Sequence, residues 1–560
     1  MAPLGAAILS LNTGNPAAAS AVSTGAPAVL RPQSPHKPLP TRAPTPIPKP
    51  APARRKGEHP SRPRILVVTP EITYLPEGMG NMTQRLSAKA GGLADVSASL
   101  VSHLYEMGAD VHVALPNYRH LFHVDVWKLL SDELRTYKSK LPDARIHLAE
   151  DRIFYYRDQI YGYRNDENPK ISLAFQREVI NNILPRVEPD LIHCNDWMTG
   201  LIPAAARRLS IPCLFTVHNI HTERMTLAEM EERGIDAAEF WPFLYFQRPP
   251  ASYEESRSAN QVDLLASGIF AAHFINTVSP AFLDEIVEGH HSFIPEPVRT
   301  EIANKKHASV AQGILNAPDP SFHPASDRSI VQNFDAGTFS EGKRRNKIEL
   351  QKRLKLLPRP DAPLLFWPSR LDPIQKGCQL FADVLYETID AGWEEGLQVA
   401  IIANGSFQEH FRDIAAFHGI ANRLAVVDFE ENLSRLGYAA SDFLVMPSLF
   451  EPCGLPQMIA PLYGSLPIVH DTGGLHDTIH HLDLAAETGN GFVFRHYDTQ
   501  GLRWAIGEAL RFYRLDLDTR HRHIRRIMQE SAAVFHHGST AKQYLDIYER
   551  MLARPLVAEG

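Results

Sequence analysis

The sequence predicts an α/β protein built from two doubly wound halves, each a parallel sheet between layers of helices. Its 560 residues are too many for one ordinary core and suit two. Short unbroken apolar runs recur through both halves, with the length and texture of parallel strands covered on both faces. Each run ends on polar or glycine residues, and in open α/β sheets ligands bind beyond the carboxyl ends of the strands.

The first half opens on a strand at Arg64–Thr69 and soon reaches Lys89-Ala90-Gly91-Gly92-Leu93-Ala94-Asp95-Val96. Beyond it, Leu93, Val96, Leu100 and Leu104 fall at helical spacing, Gly108 ends the helix, and Asp110–Leu115 completes a first βαβ unit. Two more strands, Leu191–His193 and Cys213–Val217, run into Asn195-Asp196-Trp197 and His218-Asn219. The pattern restarts after residue 310, with strands at Leu364–Trp367, Leu397–Ile402, Leu424–Val427, Asp442–Pro447 and Ser465–Val469. Residues from about 500 to 555 read as helix, Leu502, Ile506, Ala509 and Leu510 sharing one face and Tyr544, Ile547 and Tyr548 another. The expected division is a tail over 1–62, domains over 63–308 and 309–535, and a C-terminal helix over 536–560 that returns to the first domain.

The tail is rich in Pro, Ala, Ser and Thr and has no acid before Glu58, which predicts disorder. Its basic, acid-free character also suits an organelle transit peptide, though it has few early arginines. The expected compartment is the cytoplasm, or a plastid if the tail is a transit peptide. The net charge of -7, with no basic stripe, argues against a nucleic-acid partner. No apolar run approaches the roughly 18 residues of a membrane span. Four cysteines without a CxxC pair point to a reducing compartment and to neither zinc nor a disulfide frame. The 26 histidines form no HExxH, and no metal is expected.

Several strand ends carry chemistry. Gly91-Gly92 at a helix N-terminus lets backbone approach a diphosphate, and Lys89 adds a full charge, although the same residues suit an ordinary strand-to-helix turn. Arg370 and Lys376 follow a strand closely enough to converge on one phosphate, the alternative being a solvated turn with Arg370 paired to Asp372. Glu451, in Phe450-Glu451-Pro452-Cys453-Gly454-Leu455-Pro456-Gln457, can accept hydrogen bonds from sugar hydroxyls or cap a helix. Thr472-Gly473-Gly474-Leu475 ends the next strand. Asp196 and His218 end apolar runs, where a buried histidine bonded to its neighbour is the usual arrangement.

Taken together these stretches resemble the bacterial glycogen synthase and plant starch synthase family, retaining glycosyltransferases of the two-domain GT-B architecture. The likeness spans about residues 64 to 550 and includes Thr216–Asn219, Thr277–Pro280, Gly313–Asn316 and Ser369–Leu371 with Gln375–Gly377. The resemblance implies transfer of glucose from ADP-glucose to the non-reducing end of an α-1,4-glucan, with retention, no cofactor and no metal. It implies that Lys89, Gly92, Arg370 and Lys376 hold the diphosphate, that Glu451, Cys453, Gly454 and Leu455 line the glucosyl and phosphate site, and that Gly91, Thr472 and Gly473 belong to the nucleotide-sugar-binding set. His218 would touch the glucose from the opposite domain, its carbonyl stabilising positive charge at the anomeric carbon, while Asp95, Asp196, Trp197 and Asn316 would lie near sugar or acceptor.

The chain departs from the family pattern in places. The Arg370-to-Lys376 spacing is one residue longer, Pro456 stands where threonine is common, Ala90 replaces threonine, and a longer connection, Tyr74–Ser87, precedes Lys89. Two alternatives stay open on the sequence: a retaining transferase using UDP-glucose or a small acceptor, and a catalytically silent glucan-binding protein.

Overall fold

The structure, a computed structural model, describes residues 62–557 apart from 81, 82, 84, 85, 123–144, 163 and 165. The tail and part of the Tyr74–Ser87 connection lie outside the described residues. Fifteen strands are named in chain order: β1 Arg64–Val68, β2 Asp110–Pro116, β3 Ile146–Ala149, β4 Leu191–Asn195, β5 Cys213–Val217, β6 Arg224–Met225, β7 Val262–Asp263, β8 Phe274–Thr277, β9 Ala311–Gly313, β10 Leu364–Trp367, β11 Gln398–Ile402, β12 Leu424–Val427, β13 Phe443–Met446, β14 Leu466–His470 and β15 Phe492–Phe494.

They form two parallel sheets and one small antiparallel pair, β6 with β7. The first sheet has seven strands in the order β3-β2-β1-β4-β5-β8-β9, the second six in the order β12-β11-β10-β13-β14-β15. Side chains such as Ile65, Leu66, Val67 and Val68 in β1, or Val399 to Ile402 in β11, are buried without alternation, because helices cover both faces. Strand order reverses between β1 and β4 in one sheet and between β10 and β13 in the other. Those are the switch points at which a doubly wound sheet opens a crevice.

The expected boundary at 309 falls too early. β9 pairs with β8, Ile275 opposite Ala311, and so belongs to the first sheet. Its Ala-Gln-Gly sequence has no apolar run to announce it, and it is held by the backbone ladder of β8. The C-terminal helix, His537–Leu552, does return to the first domain. Tyr548 places its hydroxyl 2.8 Å from His193 Nδ1, His193 Nε2 lies 2.6 Å from Thr216 Oγ1, and Asn276 donates to the Tyr544 hydroxyl at 2.9 Å. Each of these groups is buried, so the helix is fixed by a satisfied polar network as well as by apolar packing. All four cysteines are buried free thiols. Among the described residues no helix is long and apolar enough to cross a membrane.

Candidate active site

Most of the residues expected at the site lie just past strands of the two parallel sheets. On the first domain, β1 leads to Glu71, a buried carboxylate whose Oε2 accepts from the Ala90 and Gly91 N–H groups at 2.6 and 3.0 Å. It therefore shapes the glycine loop before the helix Gly92–Glu106. Burial pushes the Glu71 carboxyl upward, against those two N–H donors, which pull it down. Lys89 and Asp95, both expected at the site, pair with each other at 2.9 Å, and Thr73 donates to Asp95 at 2.6 Å.

Beyond β4, Asp196 holds an unusual backbone, φ 57 and ψ 179. For a non-glycine residue such a conformation costs about 1–3 kcal/mol and tends to mark functional sites. Its surroundings over-determine it. The Asp196 N–H donates to the Thr216 carbonyl at 3.0 Å, while its carboxylate accepts from the His218 N–H at 2.7 Å and from Asn219 Nδ2 at 3.0 Å. Burial raises the Asp196 carboxyl to about 7 despite the N–H donors of His218 and Asn219, and the Glu71 charge adds to the rise. The His218 ring places Nε2 2.9 Å from Asn195 Oδ1, and burial lowers it to about 3, so it is neutral at physiological pH. Trp197 is buried with its ring 5.3 Å from that of His221.

On the second domain, β10 leads to Arg370 and β13 to Glu451. Arg370 is exposed, and the alternative partner Asp372 turns its carboxylate to the backbone N–H groups of Ile374 and Gln375 instead. The intervening loop ends at Lys376, whose Nζ sits 2.5 Å from Glu451 Oε2. Ser448 donates to the same oxygen at 3.0 Å, and both charged groups are buried. The longer Arg370–Lys376 spacing is thus accommodated with Lys376 buried against Glu451. Pro456 stands at the first position of the helix Pro456–Leu462, a place where its missing N–H leaves no intrahelical bond unmade.

The two halves meet here. A Cβ built on Gly92 would lie 3.3 Å from Leu455 Cδ1, so the glycine loop of one domain faces the Glu451 loop of the other. Tyr161, a residue sequence reasoning missed, is half-buried, and its phenol is pushed well up by burial and by the Glu71 and Asp196 charges, while Arg370 pulls it back. Asn316 lies beside Cys453, its N–H on the thiol, and its buried Oδ1 has no partner among the described residues. Thr472 and Gly473 instead engage the first domain: Thr472 Oγ1 and the Gly473 N–H donate to Glu285 at 3.1 and 2.7 Å. Gly473 sits at φ +46, and a Cβ there would come 2.1 Å from the Glu451 carbonyl, so only glycine fits. Asp477, accepting from Ser279 at 2.5 Å, strengthens the same interdomain contact.

Glu71 was detectable as an acid just past a strand end. Tyr161 and Glu285 gave no such signal, since neither lies at a strand end: Tyr161 comes after the helix Arg152–Tyr155 and Glu285 sits within the helix Pro280–Glu288.

Comparison with known proteins bears on this geometry. The starch synthase catalytic domain family matches residues 64–295, and the glycosyl transferases group 1 family matches residues 362–511. A glycogen synthase of Moorella thermoacetica is 33% identical over 515 residues, covering 88% of this chain and 97% of its own length. The chain belongs to the glycogen and starch synthase family. A second relative, the glycogen synthase of Exiguobacterium sibiricum, is 33% identical over 498 residues, covering 83% of this chain and 96% of that protein. The solved catalytic domain of Arabidopsis thaliana starch synthase IV, bound to ADP and acarbose, superposes with a TM-score of 0.70 at 26% identity, covering 88% of this chain and all of that one. As a member of this synthase family the protein is a glycosyltransferase of two-domain GT-B architecture, which agrees with the two parallel sheets, each with its own switch point.

Proposed function

We propose that this protein transfers glucose from ADP-glucose to the non-reducing end of an α-1,4-glucan with retention of configuration. The observation that carries the reading is the buried Lys376–Glu451 pair, on a loop that begins at the exposed Arg370, in a domain whose Leu455 meets Gly92 of the other. Two cations beside a sugar-competent carboxylate meet the needs of a departing nucleoside diphosphate and its glucosyl group. The ADP in the starch synthase IV structure supports adenine as the base.

In this reading Arg370 and Lys376 neutralise the leaving diphosphate, with Lys89 and the Gly91 and Gly92 backbone closing over it. Glu451 accepts from glucosyl hydroxyls once Lys376 turns to phosphate, while Cys453, Gly454 and Leu455 form the wall beneath. From the other domain, the His218 carbonyl faces positive charge developing at the anomeric carbon, and Asp196 holds that backbone through the His218 N–H. Asp95 and Asn316 line the acceptor approach, and Thr472 and Gly473 tie the two domains together through Glu285. The leaving phosphate takes the proton of the incoming hydroxyl on the same face, so no side chain attacks the sugar. Catalysis is then mostly positioning and preorganised charge. Turnover measured with ADP-glucose and UDP-glucose in parallel tests the donor: strong preference for UDP-glucose overturns that assignment.

A further inference from the structure

The second domain carries a cavity of about 620 Å³ that shares no residue with the crevice just described. It lies beside the edge strand β15, between the helices Gly473–Thr478 and Thr499–Tyr513. Its floor is apolar, with Ile479 and Phe494 buried beneath it. One wall is aromatic. The Trp504 ring, 48% exposed, lies parallel to the His481 ring at 5.1 Å with 19° between planes. His481 Nδ1 accepts from the Val493 N–H at 3.2 Å, which fixes the imidazole and leaves its proton on Nε2 as a donor.

The opposite rim is polar. Asp471 holds His476 Nδ1 at 2.7 Å and faces Arg495 Nε at 3.7 Å, and the His476 and Arg495 side chains are largely open to solvent. A half-exposed indole over an apolar floor, faced by a carboxylate, an imidazole and a guanidinium, matches a pyranose. The C–H face of the sugar packs on the aromatic wall while its hydroxyls meet donors and acceptors at the rim. An anion suits the cavity less well, since Asp471 faces the Arg495 guanidinium and offsets its field.

We propose that this cavity is a second α-glucan-binding site, which holds a remote stretch of the acceptor polymer while another chain end occupies the crevice. The proposal rests on the reading of the protein as an α-glucan synthase. A repeating polymer engages two footholds at once, and the second raises the effective concentration of chain ends at the first. Short acceptors reach only one foothold and gain nothing.

The test compares wild type with Trp504→Ala, Trp504→Phe and His481→Ala. Donor-free mobility in gels containing glycogen reports binding, and KM is measured for glycogen and for maltotriose. The expected result is loss of glycogen retardation and a rise of about tenfold in KM for glycogen in Trp504→Ala, with kcat and the maltotriose KM unchanged. Trp504→Phe keeps an aromatic face and should restore most of the binding, and His481→Ala, which strips one wall of the cavity, should reproduce part of the loss. Unchanged retardation and KM in both alanine variants overturns the proposal, as does calorimetric binding of inorganic phosphate but not maltoheptaose that is lost in Trp504→Ala. Because retardation needs no donor, a wild type that binds glycogen through Trp504 yet transfers no glucose would refute the synthase reading and leave the site standing.

Discussion

The Lys376–Glu451 pair offers a quantitative test. Its side chains are only 10% and 7% exposed, and their charged atoms lie 2.5 Å apart. At an effective dielectric of about 20, two unit charges at that separation attract by roughly 6–7 kcal/mol. Much of that offsets the cost of removing both ions from water. Removing one partner leaves the other buried and uncompensated, which typically costs about 3–5 kcal/mol, whereas replacing both is often neutral. Lys376→Met and Glu451→Gln should therefore each destabilise by about 3–5 kcal/mol, and the double variant by far less than their sum. Ser448, which donates to Glu451 at 3.0 Å, can still donate to the glutamine oxygen. Chemical denaturation of all four proteins gives the coupling energy, and turnover with ADP-glucose gives the functional side. Stability should recover in the double variant while activity stays lost in all three. Additive destabilisation, or single variants as stable as wild type, would show that the pair is not the buried unit described.

Arg370→Ala should lower turnover by about a hundredfold or more, the usual loss of a preorganised donor to developing charge, yet leave thermal stability unchanged because the side chain is exposed; retained activity would place the diphosphate elsewhere. Gly473→Ala should destabilise the protein and impair transfer, since φ +46 and the close Glu451 carbonyl leave no room for a methyl group; a variant with wild-type melting would contradict that geometry. Stability should fall as pH drops from about 6.5 towards 3, because the unfolded chain protonates His193 and His218 near the ordinary value whereas the folded chain does so only near 3. Asp196 runs the other way, its folded carboxyl at about 7 taking a proton before the unfolded one does. Asp196→Asn should thus steepen the acid loss by about 1.4 kcal/mol per pH unit between roughly 6.5 and 4, read from unfolding midpoints across pH, and an unchanged slope would refute the raised Asp196 value.

Much of this architecture is written locally in the chain. β5, β10 and β12 coincide with the apolar runs Cys213–Val217, Leu364–Trp367 and Leu424–Val427, because strands covered on both faces must be continuously apolar. The same rule misses β9 and places the domain boundary too early, since Ala311–Gly313 is held by backbone pairing. Strand ends pointed to Asp196, Arg370 and Glu451, yet which ends become a site depends on strand order, and the reversals at β1/β4 and β10/β13 are a property of topology. Partnerships were less legible still. Lys376 and Glu451 lie 75 residues apart, and Gly473 and Glu285 are separated by 188. No periodicity links residues at such separations, so the pairing of Thr472 and Gly473 with the first domain emerges only from the folded arrangement.

The most direct test of the account is incubation of the purified protein with labelled ADP-glucose and glycogen, following ADP release and the length of the α-1,4 chains together. The account predicts stoichiometric ADP release with label at the non-reducing ends, abolished by Glu451→Gln. ADP release without chain elongation, or elongation only with a different nucleotide sugar, would contradict it.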